Sequence, residues 1–198
     1  LSGGAHAVVG PAMSRSSRAV GLFGDATTRS KLRTLGQSRG VPQLSYWSSD
    51  SSLSDNTTYP FFARSIYSNR QTATHLASSL TQPFDRLTHI GIVFVDDEYG
   101  QDLANQLFDA CQANNIDVRT KAAFSPSTPD ETIRSAVGIA TGITGLRVFV
   151  SICFGSHIIQ VLRAAQDNNA LRSGYAWIWV DGSQMLPANP SQADAELL

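Results

Sequence analysis

The chain reads as an α/β protein built around an open parallel sheet. Three observations carry that reading. From residue 70 onward, helical and extended patterns alternate without a break. Ile90-Gly91-Ile92-Val93-Phe94-Val95 is a continuous apolar run, as expected of a parallel strand covered on both faces. The joints between the patterns carry polar residues with Gly or Pro, the punctuation of short βα and αβ connections.

Taken in order, Ala5 to Val9 is a short strand ended by Gly10-Pro11. A serine-rich helix start follows at Ser14-Arg15-Ser16-Ser17, where a hydroxyl suits an N-cap and free N–H groups suit a carboxylate. Residues 15–39 read as a helix interrupted at Gly21, Gly24 and Gly36, with a surface loop at 24–30. Val41 to Tyr46 is a second strand, opening into the hydroxyl-rich loop Trp47-Ser48-Ser49-Asp50. A turn at Leu53-Ser54-Asp55 leads to a third extended piece, Tyr59 to Arg64. A helix over 70–81 carries Ala73, Leu76, Ala77 and Leu80 on one face. Strand 90–95, helix 100–114 (Leu103, Leu107, Cys111) and strand 116–124 come next. Thr128-Pro129-Asp130-Glu131 is a capping box with Pro at the first helical position, opening a helix over 130–141. Strand 146–153, helix 156–168 and strand 175–180 complete a βαβαβαβ unit. Trp177 and Trp179 alternate along the last strand as residues of a buried strand do.

Composition excludes several classes. Net charge is −1, which gives no general attraction to nucleic acid. The balance is uneven: residues 1–40 hold six Lys/Arg against one Asp, and the rest nine against fifteen acids. No run approaches the roughly 18 apolar residues that span a bilayer. Cys111 and Cys153 fall on a helix face and in a strand, and read as buried thiols. No ligand-spaced His/Cys cluster exists, so neither a metal nor a cofactor is expected. Asn56-Thr57-Thr58 is a glycosylation sequon in a turn.

Enzyme readings find no support. Asp96, Asp97 and Glu98 at a strand end suggest a phosphoryl or metal site, but the later acid and lysine of a receiver domain are missing. An N-cap role for one of the three acids is the plainer alternative. Ser156 and His157 are neighbours at a helix start, and no GxSxG elbow exists.

The order of residues 42–64, PQxSYxSSxxxLSDxxxYPxFxR, is more specific than any of this. It closely resembles the first-lobe signature of type I periplasmic-binding-protein-like receptor ligand-binding domains. That family includes the ectodomains of class C G-protein-coupled receptors (metabotropic glutamate, type B γ-aminobutyric acid) and of natriuretic peptide receptors. The resemblance implies a two-lobed clamshell of parallel sheets flanked by helices. Residues 1–68 would be a partial first lobe, 69–183 the second lobe and 184–198 a return crossover, so the chain reads as a fragment.

It also implies a small amino-acid-like ligand in the inter-lobe cleft and signalling by lobe closure. Ser14, Ser16, Ser17, Ser48 and Ser49 would take the ligand's anion; Ser14 is equally an ordinary helix cap. Trp47 either narrows the pocket or fills the core. Asn69 stands where the family has an acid at the crossing between lobes, which weakens a contact to a ligand amine. Tyr99 in DDEYG, Phe154 and Asp181 would meet the ligand from the second lobe. Implied partners are the small ligand and a dimer mate held through the first lobe, with the chain at the extracellular face of a membrane. A solute-binding protein of a transport system and a lobe kept only for dimerisation are the alternatives.

Overall fold

The computed structural model describes residues 7–22, 41–81 and 87–180. Asp181, the Gly24 to Ser30 loop and the 184–198 crossover lie outside the described residues. The chain divides into two compact units, Leu1–Thr72 and Ala73–Leu198.

In the first unit, strands β1 (Val8–Val9), β2 (Gln43–Ser45) and β3 (Phe62–Arg64) form a parallel sheet in that order. Helix α1, described over residues 14–22, follows β1. One face of β2 is buried through Gln43 and Ser45, and Gly21 of α1 lets Tyr59 and Gln43 come close. The other face carries Val9, Leu44 and Ala63 in register across the three strands, and all three are exposed. The extended piece from Tyr59 is shorter than the sequence suggested: residues 59–61 form a turn whose Tyr59 carbonyl accepts from Phe62 N. A one-turn 3-10 helix, Ser51–Ser54, takes the place of a simple turn, with the Asp50 carboxylate capping Ser52 N.

The second unit holds β4 (His89–Val95), β5 (Asp117–Phe124), β6 (Val148–Ile152) and β7 (Ala176–Val180), all parallel in the order β5-β4-β6-β7. Its helices are α2 (Asn69–Thr81, beginning in the first unit), α3 (Glu98–Ala113), α4 (Pro129–Thr141) and α5 (Gly155–Asp167). Because successive side chains of a strand point to opposite faces, β4 feeds two cores. Ile90 and Ile92 pack with Ala77 and Leu80 of α2 and Leu103 and Leu107 of α3. Val93 and Val95 pack with Ile133 and Val137 of α4 and Val161 of α5. The helices and strands expected of this unit all occur, with ends shifted by one or two residues.

Two local expectations fail. Thr128 makes no side-chain cap at α4. Thr132, one turn on, donates its hydroxyl to the Thr128 carbonyl (2.6 Å) and accepts from Ser125 N (3.0 Å), so it ties down the entry loop instead. Trp177 and Trp179 are half-buried rather than buried, because β7 has a strand partner only on its β6 side among the described residues. Trp177 nonetheless stacks on Phe149 (4.7 Å between ring centres) and donates its indole N–H to the Ala170 carbonyl.

Candidate functional site

Parallel strands bring all their carboxyl ends to one edge, and in open α/β sheets that edge is where ligands bind. Each unit has such an edge.

In the first unit the loop after β1 is held by hydroxyls from far along the chain. Ser17, Ser45 and Ser48 all direct their Oγ atoms at the Pro11 carbonyl, at 3.0, 2.7 and 3.2 Å. Ser48 Oγ also lies 2.9 Å from the Ala12 carbonyl and 2.7 Å from Ser17 Oγ. Ser45 accepts from Ser48 N (3.1 Å), and Ser14 accepts from Asp50 N (3.2 Å). Ser14, Ser17 and Ser48 are buried, so their hydroxyls answer backbone groups that burial would otherwise leave unsatisfied. Arg64 does the same for the β2 loop, donating to the carbonyls of Ser48 (3.1 Å) and Asp50 (2.9 Å) and to the Ser54 hydroxyl. Arg18 lies 3.7 Å from the Asp50 carboxylate.

The remaining first-unit candidates are placed differently. Ser16 is exposed in the first turn of α1. Ser49 is half-buried, and its carbonyl accepts from Asn69 N at 2.7 Å, fixing the start of α2. Asn69 itself is 1% exposed. Trp47 is 43% exposed, which removes the core-filler alternative. Asn56 is exposed in a turn that Asp55 closes by accepting from Thr57 N and the Thr58 hydroxyl.

In the second unit the edge gathers the ends of β4, β5 and β6. Asp97 caps α3, accepting from Gly100 N at 2.8 Å, so one of the three acids is the helix cap. Burial raises its pKa above the ordinary carboxyl value, the Gly100 and Tyr99 amides oppose that shift, Glu98 adds to it and His157 opposes it. Asp96 is exposed and accepts from Gln101 (2.6 Å). Tyr99, in the first turn of α3, stacks on Phe154 with ring centres 5.6 Å apart and planes at 27°. His157, in the first turn of α5, meets Phe124 edge-on at 5.3 Å and lies 5.9 Å from Phe154. Its Nδ1 is buried with no hydrogen-bond partner, and burial lowers its pKa, with Asp97 working against the shift.

Sequence reasoning assigned nothing to Ser45, Arg64 or His157. The first two lie inside the quoted signature, so their positions were a signal. His157 had none beyond its place at a helix start. Among the described residues no group of three or more His, Cys, Asp or Glu could hold a metal, and no helix is long and apolar enough to cross a membrane.

Comparison with known proteins gives a consistent result. The family model described as "Receptor family ligand binding region" matches residues 1–197. The chain is similar to metabotropic glutamate receptor-like protein E of Dictyostelium discoideum, 26% identical over 182 residues, covering 89% of this chain and 21% of that protein. It is similar to glutamate receptor 2.5 of Arabidopsis thaliana, 27% identical over 183 residues, covering 88% and 19%. It is also similar to G-protein coupled receptor family C group 6 member A of Carassius auratus, 27% identical over 145 residues, covering 71% and 16%. The chain thus spans about a fifth of the length of the curated relatives it matches. These relatives are receptors, not enzymes.

Proposed function

Because this chain belongs to the receptor family ligand-binding region, we propose that it binds a small amino-acid-like ligand at the carboxyl-end edges of its sheets. The observation that carries the reading is the Tyr99–Phe154 pair beside Asp97 and Glu98, an aromatic and acidic edge suited to an ammonium group. On the first-unit edge, Ser16 and the N-terminus of α1 suit the ligand's carboxylate. Ser49 and Trp47 flank that position on the next loop. Asp181, directly after β7 in the sequence, is a further acid for the amine in this reading. The buried hydroxyls of Ser14 and Ser48 act one step back: they hold the loop backbones in place. The Asn69 backbone N–H holds the start of α2 to the Ser49 carbonyl.

In this reading the region works at the extracellular face of a membrane receptor and pairs with a second chain through its first lobe. The exposed sequon at Asn56 suits that setting. Signalling requires that the ligand favour one arrangement of the receptor over another. The names of the relatives support a receptor over a transport-system binding protein.

The test is thermal unfolding of the chain against a panel of L-amino acids and γ-aminobutyrate. A ligand at about 100 times its dissociation constant stabilises by roughly 2.7 kcal/mol, a shift of roughly 2–4 °C at this size. Tyr99→Ala and Asp181→Ala should each abolish the shift. No shift with any compound sinks the reading in favour of a lobe that only dimerises.

A further inference from the structure

We propose that the first unit holds a second site, apart from its carboxyl-end edge, for an uncharged aliphatic molecule that donates one hydrogen bond, such as a short-chain alcohol. The acceptor for that bond is Gln43 Oε1.

Gln43 lies on the buried face of β2 and is 3% exposed. One side of its amide is fixed: Nε2 donates to the Gly10 carbonyl at 3.2 Å, a place only the NH2 group can serve. Oε1 is turned instead toward α1, where it is buried with no hydrogen-bond partner. Gly21 marks the spot. A Cβ built there would lie 3.4 Å from Gln43 Oε1 and 3.0 Å from Tyr59 Cδ1. The orphaned oxygen and the Tyr59 ring therefore meet over a residue that has no side chain.

Gly21, Gln43 and Tyr59 also border a cavity of about 30 Å³. Val8, Val20 and Val41 give it aliphatic walls, and the exposed Pro60 and Phe61 stand at its rim. Val8, Gln43 and Phe62 open β1, β2 and β3, so the cavity lies at the amino ends of the strands, away from the serine-rich loops.

The lining decides the chemistry. None of the described residues around the cavity is charged, so an ion would lose its hydration without compensation. Backbone groups nearby serve one another: Val8 N donates to Pro42, Gln43 N to Phe61 and Phe62 N to Tyr59. A water there would find one acceptor among carbon walls, whereas buried waters typically make about three hydrogen bonds. A hydroxyl on an alkyl chain fits better, giving its proton to Oε1 and laying its carbons on the valines. One water needs roughly 10–15 Å³, so the cavity takes the hydroxyl and first carbons, and the rest of a short chain runs out past Phe61.

Two isomers test this: n-butanol, which donates a hydrogen bond, and diethyl ether, which does not. Each is titrated into the isotope-labelled chain while backbone and side-chain amide signals are followed by NMR. The expected result is saturable shifts at Gly21 and at the Gln43 side-chain amide with n-butanol, and at least tenfold weaker binding of the ether. Gly21→Ala puts a methyl group into the space and should abolish the shifts. Val20→Leu, which enlarges a wall residue, should weaken them and serves if Gly21→Ala disturbs the fold. Ether binding as tight as that of the alcohol overturns the role of Gln43. Shifts unchanged in the folded variants overturn the location. Shifts that never saturate, or none at all, leave the cavity to water and overturn the site.

Discussion

Phe154, the last residue before α5, stacks on Tyr99 in the first turn of α3 at 5.6 Å, joining the ends of β6 and β4 across the sheet edge. His157 continues the contact to Phe124 at the end of β5. The second-unit edge is therefore a connected set of rings.

If the pair is coupled, Tyr99→Ala and Phe154→Ala should be non-additive in urea unfolding. The expected interaction is about 0.5–1.5 kcal/mol, the usual size of an aromatic pair. Additive losses remove the stack from the account of the site.

The His157 environment predicts a pH response. The folded pKa lies below the ordinary 6.5, so the unfolded chain binds the proton more readily. That contribution to stability is complete above pH 6.5 and is lost as pH falls through the folded value. Asp97 runs the other way: its raised pKa gives a contribution complete below 3.8 and lost as pH rises through the folded value. Melting temperature recorded from pH 8 to 5 should fall on the acid side in the native chain, and His157→Gln should flatten that fall. An unchanged profile refutes the assignment.

Ser48→Ala removes the hydroxyl that lies between the Pro11 and Ala12 carbonyls and Ser17. Leaving buried polar groups unsatisfied costs about 1–3 kcal/mol. Chemical unfolding should show a loss in that range. Ser16→Ala, at an exposed hydroxyl, should move stability by less than about 0.5 kcal/mol yet weaken ligand binding.

Two glycines in helices separate backbone crowding from propensity. A Cβ at Gly100 would run into the Val95 carbonyl, so Gly100→Ala must displace α3 from β4. It should cost more than about 2 kcal/mol. Gly138 in α4 has open space around a built Cβ, and Gly138→Ala should stabilise by about 0.5–1 kcal/mol. Paired unfolding curves check both.

Cys111 and Cys153 are buried and unbridged, and burial pushes both thiols up to about 11. Neither should react with a thiol reagent at pH 8 in the native chain, and both should react in denaturant. Fast native labelling at either position would contradict their burial.

The second unit was legible in the sequence because its helices and strands each carry an apolar period of their own. Ile90 to Val95 and the Leu103, Leu107, Cys111 spacing fix element type from neighbours only a few residues away. The 42–64 signature likewise carried the family, since it lies in one continuous stretch. What the linear chain could not fix was the work done by single polar side chains. Ser16 and Ser48 are both serines in a ligand-loop pattern, but Ser48 is buried against carbonyls 36 and 37 residues earlier while Ser16 faces solvent. Thr128 has a capping-box sequence, and the helix start is instead tied down by Thr132. Tyr99, Phe154 and His157 are scattered over 59 positions and become one cluster only when β4 and β6 pair. Local periodicity determines which elements form. Burial and hydrogen-bond geometry, set by residues distant in sequence, decide which hydroxyl holds a loop and which is left for a ligand.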